Sequence, residues 1–255
     1  MLTWTDPSTA LRSIELLSGL GCALASLEFL ALGREFSKVG FYAGCVTSPR
    51  QIIFLHIVRV LLALWFALFP LLTWLTSVRL AALLSVSLVL TYLMPLGLEA
   101  ADQMISILLA AQFLASLAPA DQRLQRACLL FIALQSVLAY SVAGWAKLLK
   151  ASWRSGSYLQ GLLRTEIFGH AAAARFVAQR NVAQLLSFAL ITTECASPLA
   201  LVTGTRGAVV FCSLLLCMHL ANGCLFGLNL FIWAFTATYP AMVFTASEIS
   251  GTWLR

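Results

Sequence analysis

Charge is what this chain has least of. Only 10% of its 255 residues are charged, against roughly 25% in soluble globular proteins. From Ala208 to Ser247 there is no Lys, Arg, Asp or Glu. With 61% hydrophobic residues as well, a soluble fold would expose more apolar surface than water tolerates, whereas lipid solvates such side chains directly. The net charge of +6 is spread between apolar runs and is carried by three Lys and thirteen Arg. It forms no clustered patch, which excludes a nucleic-acid surface and fits interfacial anchors and positive loops. No Rossmann or Walker glycine fingerprint, internal repeat or low-complexity tract is present. The first ten residues have no Lys or Arg, and the apolar run after them is interrupted by Glu15 and Glu28. That segment reads as a retained first span rather than a cleaved signal.

What is there is a series of apolar runs of membrane-crossing length, so the lipid bilayer is the expected partner. The expected fold is all-α, a polytopic transmembrane bundle of about seven to eight spans plus an interfacial amphipathic helix, forming one domain over 1–255. Spans are expected near 11–32, 51–76, 78–97, 101–118, 127–147 and 181–203, with Pro70 kinking the second. Ala118-Pro119-Ala120-Asp121 marks a turn. Residues 148–180 carry Lys150, Arg154, Arg164, Glu166, His170, Arg175 and Arg180 beside helically spaced apolar residues, a pattern suited to a helix lying in the interface. The uncharged stretch 208–247 is too long for one crossing, and Asn222, Gly223, Gly227 and Asn229 mark its break. The distribution of Lys and Arg places the loops 33–50 and 148–180 on the cytoplasmic side.

Ionisable groups within lipid are costly and therefore informative. Glu28 and Arg59 read as an ion pair between the first two spans. Lys147 follows Ala143-Gly144-Trp145-Ala146 at the end of the fifth span and precedes Trp153 and Gly156. A desolvated lysine can act as a general base; an interfacial lysine with a Trp belt residue is the plainer reading. His219, Asn222 and Phe226 share a helix face, where they can bind a polar group or simply hydrogen-bond between helices. Asp102 and Glu194 complete the set of candidate pocket residues with Trp153. A metal site on Cys212, Cys217 and His219 fails on geometry, because Cys217 lies about 140° around the helix from Cys212.

Two of these runs together resemble a known family. Tyr140-Ser141-Val142-Ala143-Gly144-Trp145-Ala146-Lys147, followed by Trp153-Arg154-Ser155-Gly156, is similar to the signature of the HTTM domain. This is the membrane core shared with vitamin K-dependent γ-glutamyl carboxylase. Met218-His219-Leu220-Ala221-Asn222-Gly223-Cys224-Leu225-Phe226, ending in Phe231, resembles the family's second motif. Glu194 near Pro198, and Asp102-Gln103, also look like family positions. The resemblance covers residues 10 to 247. The Lys-to-Trp spacing is one residue longer than in the carboxylase, and Asn229 and Ile232 stand where the second motif has Gly and Pro. No stretch matches the carboxylase's extramembrane β-rich domain.

The resemblance implies a membrane enzyme in which Lys147 is a catalytic base on a quinone (vitamin K-like) or other lipophilic cofactor. His219 would be the second catalytic residue, Asn222 and Trp153 would line the pocket, and Asp102 or Glu194 would tune it. It implies carboxylase-like carbon–carbon chemistry on a peptide substrate. Small bacterial HTTM proteins, including those resembling members of the sporulation-delaying toxin operon, suggest two alternatives. One is a non-catalytic accessory protein that matures or exports an antimicrobial peptide with a partner maturation protein; the other is a quinone-binding redox partner. Either would sit in the bacterial inner membrane.

Overall fold

The computed structural model describes residues 4–38, 48–68, 73–93, 100–165 and 171–253. Among them every regular element is a helix. The long ones are α1 (Pro7–Lys38), α2 (Pro49–Leu68), α3 (Thr73–Leu93), α4 (Ala100–Leu117) and α5 (Gln122–Leu149). Four shorter pieces follow: α6 (Ala151–Arg154), α7 (Ser157–Leu162), α8 (Ala171–Phe176) and α9 (Arg180–Cys195). The chain continues through α10 (Leu199–Val202), α11 (Gly204–Phe226), α12 (Asn229–Thr236) and α13 (Tyr239–Trp253). Seven helical segments among the described residues are long and apolar enough to cross a membrane, the last being Asn229–Gly251.

The helix starts follow from local chemistry. Pro7 and Pro49 open α1 and α2, where a missing N–H costs nothing. Asp6 caps α1, accepting the Thr9 amide at 2.9 Å, and Asp121 caps α5, accepting the amides of Arg123 and Leu124 at 2.9 and 3.2 Å. Ahead of α2, Gln51 reaches back to the Ser48 amide at 2.8 Å, which satisfies another orphan donor. The expected turn at 118–121 is therefore a turn with its own cap.

Several boundaries differ from the sequence expectation. The second span ends at Leu68 and the third begins at Thr73, five residues before 78. Pro70 and its expected kink lie outside the described residues. Among its described residues, the segment 148–180 holds the short helices α6, α7 and α8, where an interfacial helix was expected. Gly156, with φ +76°, forces the turn between α6 and α7. Glu166 and His170 lie outside the described residues. The segment near 181–203 is the 16-residue α9, a turn, and α10, so it is shorter than a crossing helix. The break in the uncharged stretch falls at Gly227, whose φ of +71° ends α11.

Two compact units account for the described chain. The first holds 1–132 and 233–241. In it α1 packs on α2, α2 on α3, α3 on α4, and α4 back on α1. Gly19 lets α1 approach α2 closely, since a Cβ there would stand 2.9 Å from Ala67 Cβ. This unit buries several polar side chains. His56 stacks on Phe29 at 3.9 Å, with Nδ1 3.2 Å from Ser26 Oγ. Arg79 is 2% exposed and donates to Thr76 Oγ1 at 3.1 Å. Arg59 is buried with Nη2 3.6 Å from Cys22 Sγ, whereas Glu28, its expected ion-pair partner, is exposed on α1. Asp102, half-buried in the first turn of α4, also belongs here.

The second unit holds 133–232 and 242–255. Its short helices α6 and α7 pack on α9, which also touches α11. Leu163, Val177 and Ala183 form a small core, with Leu159 and Phe226 packed against it. Of the helically spaced apolar residues, Leu159 and Leu163 serve this core, whereas Ala171 and Phe176 are exposed.

Candidate functional site

The second unit places three of the candidate residues together. Lys147 is in the last turn of α5, Glu194 in the last turn of α9, and Trp153 in α6. Lys147 Nζ donates to both Glu194 oxygens, at 2.8 and 2.7 Å. The pair is shielded, with side-chain exposures of 19% for Lys147 and 6% for Glu194. The ammonium lies 5.5 Å from the centre of the Trp153 ring, in cation–π range. Trp153 in turn stacks on Tyr158 at 4.4 Å.

The two motif glycines explain how this cluster closes. A Cβ at Gly144 would stand 2.7 Å from the Cys195 backbone nitrogen and 2.9 Å from Glu194 Cβ. Only glycine lets α5 and α9 meet backbone to backbone there, and that contact delivers Glu194 to Lys147, one turn further along α5. Gly156 needs its left-handed backbone, and a Cβ on it would stand 2.5 Å from the Gln184 nitrogen. The Ala-Gly and Trp-x-x-Gly elements are therefore packing devices that bring α5, α6 and α7 onto α9. Ser141 Oγ, 3.3 Å from Ser197 Oγ, extends the same seam.

His219 and Asn222 form a second cluster on α11. His219 is 2% exposed, and its Nε2 lies 2.8 Å from Tyr140 Oη. Phe231 flanks the imidazole with ring centres 6.2 Å apart. Asn222 is half-buried one turn away. Tyr140 precedes Lys147 by two turns of α5, a rise of about 10 Å. The imidazole and the ammonium thus hang on one helix face, each with its own partner. Asp102 lies in the first unit.

Nothing in the sequence marks Tyr140, itself a motif residue, as the partner of His219. Nor does it mark Arg79 and Gln112, which are 2% exposed each. Their only signal was a polar side chain inside an apolar run, and several exposed residues share that signal.

Chemically, the Lys147–Glu194 pair holds a proton at Nζ beside a carboxylate acceptor, in a half-buried place with an aromatic wall. Lysine has three N–H donors. Glu194 takes two, which leaves one for an incoming acceptor. One remaining donor beside an aromatic stack can meet a hydrogen-bond acceptor. These features define a multi-pass helical membrane protein with an ion pair at the end of its fifth long helix. The chain matches no protein-family model, no curated protein and no solved structure.

Proposed function

We propose that this chain is a membrane-embedded HTTM-like enzyme of the bacterial cell membrane, with the Lys147–Glu194 pair as its working centre. It would act on a peptide with a quinone-type lipophilic cofactor. The observation that carries this reading is the shielded, two-pronged contact of Lys147 with Glu194 beside Trp153. Lys147 Nζ would hold the mobile proton, Glu194 would receive it, and Trp153 with Tyr158 would orient a flat ring. Tyr140, two turns back along α5, and its partner His219 of α11 would complete the polar lining. When bound, the cofactor supplies the redox chemistry that such residues lack.

Lipid extracts of the purified chain, analysed for quinones by mass spectrometry, test it. The wild type should carry a quinone, whereas Lys147→Ala and Glu194→Gln should lose it at equal membrane abundance. A wild type without quinone, or equal content in all three, overturns the reading.

A second reading has its own support, because the charges of Lys147 and Glu194 cancel within the protein. A charge-balanced pair between two helices suits an accessory protein for the maturation or export of an antimicrobial peptide. In that case Lys147→Met combined with Glu194→Leu should preserve function in a toxin-production assay, whereas the enzyme reading requires its loss.

A further inference from the structure

The chain between α5 and α9 is strongly one-sided in charge. Residues 148–180 carry Lys150, Arg154, Arg164, Arg175 and Arg180 against the single acid Glu166. All five cations are exposed. None forms an ion pair among the described residues. Arg154 Nη1 donates to the Leu148 carbonyl at 2.6 Å and Arg175 Nε to the Ala171 carbonyl at 3.4 Å, contacts that leave both charges unanswered.

These cations sit on a preformed body. The helices α6 and α7 pack on α9, and Leu163, Val177 and Ala183 close a small core among them. Gln160 Nε2 donates to the carbonyls of Val177 and Ala178 at 2.8 and 3.1 Å, which ties α7 to the chain after α8. Binding here orders little new chain, so little of the attraction is lost to entropy.

Apolar side chains are interleaved with the cations. Leu149, Tyr158 and Phe176 are 75%, 45% and 66% exposed. An acidic peptide would neutralise the cations but leave those side chains in water. A bilayer surface answers both, with headgroup phosphates at the cations and the acyl boundary at the apolar groups. Position in the chain favours the same partner. Leu149 ends α5, a helix long and apolar enough to cross a membrane, so the segment starts at the lipid boundary, where a charged leaflet is felt over roughly 8 Å. Four of the five cations are Arg, whose planar fork matches phosphate oxygens and sheds water more readily than an ammonium. We propose that α6, α7, α8 and the start of α9 form a surface that selects anionic phospholipids of the adjoining leaflet over zwitterionic ones.

The test uses the full chain in nanodiscs of equal phosphatidylcholine and phosphatidylglycerol with identical acyl chains. Native mass spectrometry reads which lipids stay bound when the disc is stripped. Phosphatidylglycerol should be enriched at low salt, and the preference should fade near 1 M salt, where charges are felt over only about 3 Å. Lys150→Gln with Arg164→Gln replaces two exposed side chains and breaks no side-chain hydrogen bond among the described residues. It should reduce the enrichment by about fivefold or more, the worth of at least one charge at a lipid surface. Arg123→Gln with Arg126→Gln removes the same charge from the first turns of α5 and should reduce it less. An equal fall in that control, equal retention of the two lipids by the wild type, or wild-type enrichment in Lys150→Gln with Arg164→Gln overturns the proposal. So does a hexaglutamate peptide that displaces phosphatidylglycerol at matched concentration, which would assign the surface to an acidic partner.

Discussion

Tyr140 and Lys147 stand on one face of α5 and are tied to different helices: Tyr140 to His219 of α11 at 2.8 Å, Lys147 to Glu194 of α9 at 2.7 and 2.8 Å. One face of one helix thereby anchors two others through polar contacts. In lipid such contacts are not driven by the hydrophobic effect and rest on geometry and close packing. The predictions that follow probe those anchors.

Gly144→Ala should destabilise the chain by about 1–3 kcal/mol, the usual cost of overpacking. The added methyl meets backbone at Cys195, which cannot rotate away as a flexible side chain would. Melting in detergent, followed by circular dichroism, would show a lower midpoint. A midpoint unchanged from wild type would mean that α5 and α9 are not in contact there.

Breaking the ion pair from one side should cost more than removing it. Glu194→Gln leaves a shielded ammonium without its countercharge, a loss of about 3 kcal/mol for a buried pair; the part-exposure of Lys147 reduces this figure. Lys147→Met with Glu194→Leu should recover most of that loss. A double-mutant cycle on unfolding in detergent measures the coupling, and additive effects would exclude the pair.

Tyr140→Phe should cost about 1 kcal/mol, in line with single hydrogen bonds between membrane helices. The ring keeps its packing on His219 while Nε2 loses the hydroxyl. The ring-nitrogen resonances of His219 in nitrogen-15 NMR would shift, and an unchanged spectrum would refute the contact.

Asp6→Ala should loosen the start of α1 by about 1 kcal/mol, the typical worth of an N-cap. The hydrogen bond from Ser8, then that from the Thr9 amide, hold the Asp6 carboxyl below its ordinary range. A lowered folded-state value means that the contribution is present above the unfolded value, near 4, and is lost as pH falls through the folded one. Exchange protection at the amides of residues 8–10, relative to the intrinsic rate at each pH, should therefore fall on acidification in the wild type and be less pH-sensitive in the variant.

Much of the fold was legible because lipid imposes long apolar runs and punctuates them with turn residues. Gly227 could be read as a break because glycine alone enters the left-handed region cheaply, and Asp121 could be read as a boundary because it caps. The start of the third span at Thr73 was not legible, since a proline inside an apolar run permits either a kink or a stop. The site was only partly legible. Lys147, Trp153 and Glu194 stood out as unusual residues, yet nothing local links positions 47 apart in the chain. The partnership of Tyr140 and His219 spans 79 positions. Gln112 and Arg79 looked like any polar letter in a greasy run, because burial is a property of neighbours rather than of the residue itself.

The backbone contact at Gly144 has a mechanical consequence. Helices that touch through side chains can slip by small rotamer adjustments, but two main chains pressed together have no such give. Sliding α9 by one residue along α5 moves it about 1.5 Å, enough to separate the carboxylate from the amine. The seam therefore works as a depth gauge, setting the height in the bilayer at which the two opposite charges meet.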